Sequence, residues 1–196
     1  MRRSLQFGLL ACGTLVVVLA GYWLWWALEG RPDRGRPAIG GPFELIDGDG
    51  RKVTEQNFRG QHMLVYFGYT FCPDVCPTTL FNASAALDDL GPELAAKVRL
   101  IFISIDPERD TPEVVKEYAG HFHPGTTGLT GAPAQVAAAA RAFRIYYRKA
   151  APEEDGSYLV DHSSILFLMD RKGRYVTHFG HETTVDEIAA ALKRLL

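Results

Sequence analysis

Cysteine is scarce in this sequence: 196 residues contain three, at Cys12, Cys72 and Cys76. Two of them lie beyond residue 42, so a four-cysteine zinc site has no basis there. Charge is missing altogether from residues 5–28, where only Gln6 and Thr14 are clearly polar. A run this long and this apolar seldom serves as a core helix. Its 24 residues exceed the roughly 20 that cross a bilayer core as a helix. An excess of positive charge is missing as well. Residues 1–42 hold five arginines against Glu29 and Asp33, which leaves 16 basic and 21 acidic residues, a balance of −5, for the rest. Such a domain has no electrostatic footprint for nucleic acid. No internal repeat follows the apolar run.

The sequence therefore divides into a flank over 1–4, a predicted transmembrane anchor over 5–28, a linker over 29–42 and a domain over 43–196. Tyr22, Trp23, Trp25 and Trp26 crowd the far end of the anchor, where amphipathic rings favour the headgroup level. A cleaved signal peptide would have a shorter apolar run and a small-residue cleavage site, neither of which is present. Residues 9–12, LLAC, resemble a lipoprotein signal, but sixteen mostly apolar residues follow Cys12. Cys12 then reads as a small apolar residue in the membrane. Arg2 and Arg3 precede the span as in an N-in anchor, while Arg31, Arg34 and Arg36 follow it, so charge alone does not orient it. The linker is rich in Gly, Pro and Arg and has no apolar periodicity.

In the domain, residues 43–54 read as a hairpin around DGDG. The continuous apolar runs 63–69 and 98–106 read as central buried strands. Helices are expected over about 77–90, over 111–122 behind a Thr111-Pro112-Glu113 start, and over 133–143. IYYRK and SYLVDHS flank a polar loop, residues 164–170 form another buried strand, and 174–180 return beside it. Thr184 and Glu187 make a capping box for a helix to Leu196. Hairpin, β, α, β, α, α, β-hairpin, α is an α/β, thioredoxin-like order with an N-terminal β-hairpin and an insertion in its middle.

Cys72 and Cys76 follow a buried strand and enter a helix, the place where open α/β sheets put their chemistry. Helix N-termini favour thiolate over thiol. Positions i and i+4 share a helix face, so both sulfurs can converge, as a disulfide or as two metal ligands. The thioredoxin redox motif has two intervening residues rather than three. Among six histidines, His162 is the one whose place is informative. It precedes the strand 164–170, and in this topology that segment faces the cysteine loop. Two thiolates and an imidazole suit copper, sulfur selecting Cu(I) and imidazole accepting Cu(II) as well.

These residues carry a family resemblance. GYTFCPDVCP at 68–77, SIDPERDT at 104–111, YLVDHS at 158–163 and the closing FGH…T…EI segment resemble the Sco/SenC proteins, over residues 38–196. The resemblance implies a copper site of Cys72, Cys76 and His162 on a thioredoxin-like fold. It implies a membrane-anchored copper chaperone of cytochrome c oxidase assembly rather than an enzyme. Its task would be to mature the dinuclear copper centre of oxidase subunit II, by copper delivery, by reducing that subunit's cysteines, or both. Other copper chaperones or thioredoxin-like reductases are the further partners expected. The resemblance also implies a domain in the periplasm, on the outer face of the bacterial inner membrane, or in the mitochondrial intermembrane space. Either compartment permits a redox disulfide between Cys72 and Cys76.

Beside these ligands, Asp161 is read either as orienting the imidazole or as a turn residue. Asp106 is read either as adjusting thiolate charge or as a cap beside Pro107. The pairs His121/His123 and His178/His181 read as surface histidines, Tyr66, Phe67, Tyr69 and Phe71 as core and site wall, and Met169 as core filling. The competing function is a thiol–disulfide oxidoreductase or thiol peroxidase using the same two cysteines, and a third is a redox or copper sensor. Neither thiol chemistry requires His162.

Overall fold

The computed structural model describes residues 15–26 and 38–196. The chain forms two units, Met1–Pro37 and Ala38–Leu196. In the first, residues 15–26 lie in helix α1, with Leu19, Trp23 and Trp26 exposed. Twelve helical residues rise about 18 Å, and no helix among the described residues is long and apolar enough to cross a membrane. The other positions of the predicted 5–28 anchor, together with residues 1–4 and 29–37, lie outside the described residues.

The second unit takes in residues 38–42, which composition assigns to the linker: the Gly40 N–H donates to the Ala142 carbonyl at 2.8 Å. Strands β1 (Glu44–Asp47) and β2 (Lys52–Thr54) form the expected hairpin. Its turn closes because Asp47 Oδ1 accepts the N–H groups of Asp49 and Arg51, with Gly50 at a φ of 77° that favours glycine. Strand β3 (His62–Gly68) runs parallel to β4 (Val98–Ser104) and antiparallel to β8 (Ile165–Met169). Both β3 and β4 are buried almost throughout, which is why they read as unbroken apolar runs rather than alternating ones.

Between these strands the chain builds α2 (Val75–Asp88), the single turn α3 (Pro92–Ala95), α4 (Pro112–Gly120), β5 (Thr127–Thr130) and α5 (Pro133–Ala142). β6 (Tyr147–Lys149) and β7 (Val160–His162) pair antiparallel as a separate two-stranded ribbon. β9 (Tyr175–Gly180) and α6 (Val185–Leu195) complete the chain. The main sheet has the order β2-β1-β5-β4-β3-β8-β9. Helix α4 starts at the Thr111 cap, whose hydroxyl accepts the Val114 N–H. Helix α6 starts at the reciprocal Thr184–Glu187 box.

The expected order needs two corrections: the single turn α3 follows α2, and a strand lies among the helices after β4. The sequence pattern puts two helices in succession after β4, but β5 lies between them, parallel to β4 and antiparallel to β1. Its sequence, TGLT, is too short and too poor in apolar residues to signal a strand. Gly128 explains the composition. A Cβ there would come within 2.3 Å of the Val115 carbonyl oxygen, so glycine lets α4 lie directly on this strand. With β5 restored, α4 becomes the crossover between parallel β4 and β5, and α5 leads from β5 to the β6–β7 ribbon.

Candidate metal centre

The site forms where β3 ends. Gly68 closes the strand, residues 69–74 turn outward, and α2 begins at Val75. Cys72 stands just before the helix, and its Sγ accepts the backbone N–H of Cys76 at 3.4 Å. The sulfur thus takes one of the amide hydrogens that the first turn of a helix leaves unpaired. Cys76 sits within that first turn, fully buried, while Cys72 is partly exposed. Burial of Cys76 depends on Gly68, because a Cβ at Gly68 would lie 2.7 Å from Cys76 Sγ and 3.0 Å from Tyr66 Cε1.

His162 reaches the cysteines through the β6–β7 ribbon, where it pairs with Tyr147. Its Nε2 lies 3.4 Å from Cys76 Sγ. Its Nδ1 faces the Ser163 carbonyl oxygen at 3.3 Å. An N–H at Nδ1 donating to that carbonyl leaves the Nε2 lone pair aimed at the sulfurs, the usual arrangement of a ligating histidine. The ring is held edge-on by Tyr66 and Tyr69, at centroid distances of 6.2 and 5.9 Å. The three donor atoms lie within 4.8 Å of one another, and among the described residues no other group of His, Cys and carboxylates converges in this way. Bonds of about 2.3 Å to sulfur and about 2.0 Å to nitrogen place ligand atoms on one ion roughly 3.5–4.5 Å apart, so the three fit a single soft or borderline metal.

The two sulfurs share one proton unequally. The hydrogen bond from Cys76 pulls the Cys72 thiol down to about 3, helped by the N–H groups of Asp74 and Cys76 and opposed by partial burial. The same hydrogen bond, with burial added, pushes the Cys76 thiol far above its ordinary value. Of the pair, the partly exposed Cys72 is thus drawn toward the thiolate and the buried Cys76 toward the thiol.

The two carboxylates expected near the site stand further off. Asp161 faces solvent and reaches Arg148 Nη2 at 3.4 Å. As the strand neighbour of His162 it points to the opposite face, and Ser163 takes the place expected for it beside the imidazole. Asp106 is fully buried and accepts hydrogen bonds from the Tyr158 hydroxyl at 2.9 Å and from Arg109 Nε. It reaches the centre indirectly. The Arg109 guanidinium stands 5.6 Å from the centroid of Tyr69, whose ring flanks His162. Tyr66, Phe67 and Tyr69 are buried and Phe71 is exposed beneath Arg109. Met169 is buried. His123 faces Asp88 at 3.6 Å, His178 accepts or donates to the Tyr175 hydroxyl at 2.6 Å, and His181 faces Glu182 at 3.9 Å.

Asp110 carries no signal of its own in the sequence, although it lies within SIDPERDT. Fully buried, its carboxyl accepts the Thr70 N–H at 3.1 Å, the Thr70 hydroxyl at 2.6 Å and the Ser104 hydroxyl at 2.6 Å. It ties the cysteine loop to the end of β4.

The SCO1/SenC family pattern matches residues 31–196. Over 81% of its length the chain is similar to the copper-bound structure of ScoI from Bradyrhizobium japonicum, at 49% identity and a TM-score of 0.74, covering all of that chain. It is similar to copper-bound ScoI from Arabidopsis thaliana at 45% identity and a TM-score of 0.76, covering 81% of this chain and 98% of that one. The human mitochondrial protein SCO1 homolog is 40% identical over 163 residues, 81% of this chain and 53% of the human one. The chain spans about half the length of such curated relatives, 48% for a mitochondrial SCO1 homolog of Arabidopsis thaliana.

Proposed function

The chain belongs to the SCO1/SenC family, and from that membership we propose that it binds copper through Cys72, Cys76 and His162 as cargo for cytochrome c oxidase assembly. The observation that carries the reading is the convergence of two sulfurs and one imidazole nitrogen at the end of β3. Two thiolates with one imidazole suit Cu(I) and tolerate Cu(II). Metal entry requires the Cys76 proton to leave, while Cys72 is already ionised and meets the ion first. A three-ligand site that is partly open at Cys72 suits transfer by ligand exchange: an acceptor thiolate adds as a Cys72 bond breaks. The acceptor on this reading is the dinuclear copper centre of oxidase subunit II. The domain would lie outside the bacterial inner membrane, or in the mitochondrial intermembrane space, tethered by the apolar segment over 5–28.

A second reading rests on Cys72 itself, a partly exposed thiolate backed by a buried thiol. Such a pair can reduce a disulfide of the acceptor. The Cys72 thiolate attacks one sulfur and expels the other as thiolate, then Cys76 displaces the mixed disulfide. The acceptor gains two thiols and the chain keeps a Cys72–Cys76 disulfide.

Cells that lack this chain and any second copy separate the two. The full chain is expected to restore the dinuclear copper centre, and His162→Ala is expected not to, since copper transfer needs the imidazole. Restoration by His162→Ala, with loss on Cys72→Ala, would replace the copper reading with the reductase.

A further inference from the structure

One polar group in the site has no role in the ligand set. Tyr66 is fully buried in the middle of β3, and its hydroxyl is buried with no hydrogen-bond partner. A buried phenol left unpaired costs free energy, and a phenylalanine would fill the same ring space. The ring contributes an edge to His162, and its Cε1 and Cys76 Sγ crowd the same point above Gly68. Burial raises the phenol above its ordinary value, and the side chains that act on it besides are those of Cys76, Thr79 and Ser164. Thr79 spends its own proton on the Val75 carbonyl at 2.8 Å.

These neighbours differ as acceptors. Hydroxyl oxygens are neutral, and a thiol sulfur accepts weakly. A metal-bound cysteine is deprotonated, and an ionised acceptor makes the stronger bond. We infer that the Tyr66 hydroxyl donates to the Cys76 sulfur when that sulfur is a metal-bound thiolate, and so sets how the centre divides its affinity between Cu(I) and Cu(II). The inference rests on the copper reading above. A hydrogen bond to a ligating sulfur withdraws electron density that the oxidised metal needs more than the reduced one. Tyr66 therefore favours Cu(I), the state a soft thiolate acceptor takes. It is a positioning residue that acts through Cys76.

The test compares the full chain with Tyr66→Phe, which keeps the ring and its edge contact to His162. Each is loaded with one Cu(II), and the sulfur-to-copper charge-transfer band is recorded. Each is then titrated with Cu(I) and with Cu(II) against chelators. Loss of the hydrogen bond is expected to move the band to longer wavelength and to lower the ratio of Cu(I) to Cu(II) affinity about tenfold. An unchanged band and ratio, with a metal-free Tyr66→Phe chain at least as stable as the parent, would overturn the inference and leave the copper site standing. NMR of the reduced chain, metal-free and carrying one Cu(I), separates the two failures. The Tyr66 hydroxyl proton is expected to exchange slowly and to shift only in the loaded chain. No uptake of Cu(I) by the parent would defeat the copper reading and the inference with it. Uptake with the hydroxyl proton and the band both unchanged would defeat the inference alone.

Discussion

Gly68 shows how much of the centre depends on a missing side chain. Its absent Cβ leaves the space in which Cys76 Sγ, Tyr66 and Phe102 meet, the last at 3.3 Å from the position the atom would take. Gly68→Ala is expected to destabilise the domain by about 1–3 kcal/mol through overpacking and to weaken Cu(I) binding by displacing Cys76. Urea unfolding and chelator competition measure the two effects; a copper affinity equal to the parent's would show that the sulfur has room to move. Cys72 gives a prediction in pH. Its thiol is held at about 3 by the Cys76 hydrogen bond, and the thiolate is the reactive form. Alkylation of Cys72 is therefore expected to keep its rate as pH falls through neutrality and to slow only near the acid limit. An ordinary thiol slows below about pH 8.5. Mass mapping should find Cys76 unmodified throughout, because burial and the retained proton both protect it. The two cysteines stand out in the sequence by spacing and topology, and His162 by its place in that topology together with the family resemblance. The outward turn of Asp161 was also latent in the pattern, since strand neighbours alternate, but residues 158–163 do not show where β7 begins. Gly68 was hidden because glycine at a strand end reads only as a boundary.

Between elements, the cysteine loop is held by groups that arrive from the β4–α4 connection. Asp110 offers acceptors to Thr70 and Ser104 at once. Asp110→Asn puts a donor where an acceptor is required and should cost about 1–3 kcal/mol for the first orphaned group. Amide exchange at Thr70 should speed up by more than exchange in α6, which shares no bond with Asp110. Equal changes in both would make Asp110 a contributor to global stability alone. Arg109 works on the other wall: its Nε pairs with buried Asp106, its Nη1 reaches the Tyr158 carbonyl at 3.0 Å, and its Cζ lies over the Tyr158 ring, 3.7 Å from the centroid. Arg109→Lys keeps the charge and loses the fork and the stacking. It is expected to loosen residues 158–162 and with them His162, lowering Cu(I) affinity while the two thiols stay titratable. The strands and helices around these loops were readable because each carries its own signal: a buried run, a Pro at a helix start, a capping box. β5 carries none. A four-residue strand becomes one only by lying between β1 and β4, and that information is tertiary.

Taken entire, the molecule brings together ligands that are 86 residues apart in sequence. Cys72 and Cys76 come from the end of a central strand, His162 from a ribbon outside the main sheet. No local pattern encodes that meeting. It was inferred from topology and from the family resemblance, and the fold supplies it through β3, β8 and the connection between β7 and β8. A metal that joins the ribbon to the sheet should stabilise the folded chain by mass action. Free Cu(I) at about a thousand times its dissociation constant adds roughly 4 kcal/mol, visible as a raised Tm that His162→Ala reduces.

The most direct measurement is X-ray absorption at the copper edge of the reduced chain carrying one Cu(I), with a chelator titration of the same sample, for the parent and for His162→Ala. The expected result is two sulfur neighbours and one nitrogen in the parent. His162→Ala should lose the nitrogen, and its affinity should fall at least tenfold. A parent spectrum with sulfur alone, or an affinity indifferent to His162→Ala, would contradict the three-ligand centre and leave a paired-thiol protein whose reduction potential, rather than its copper, defines what it does.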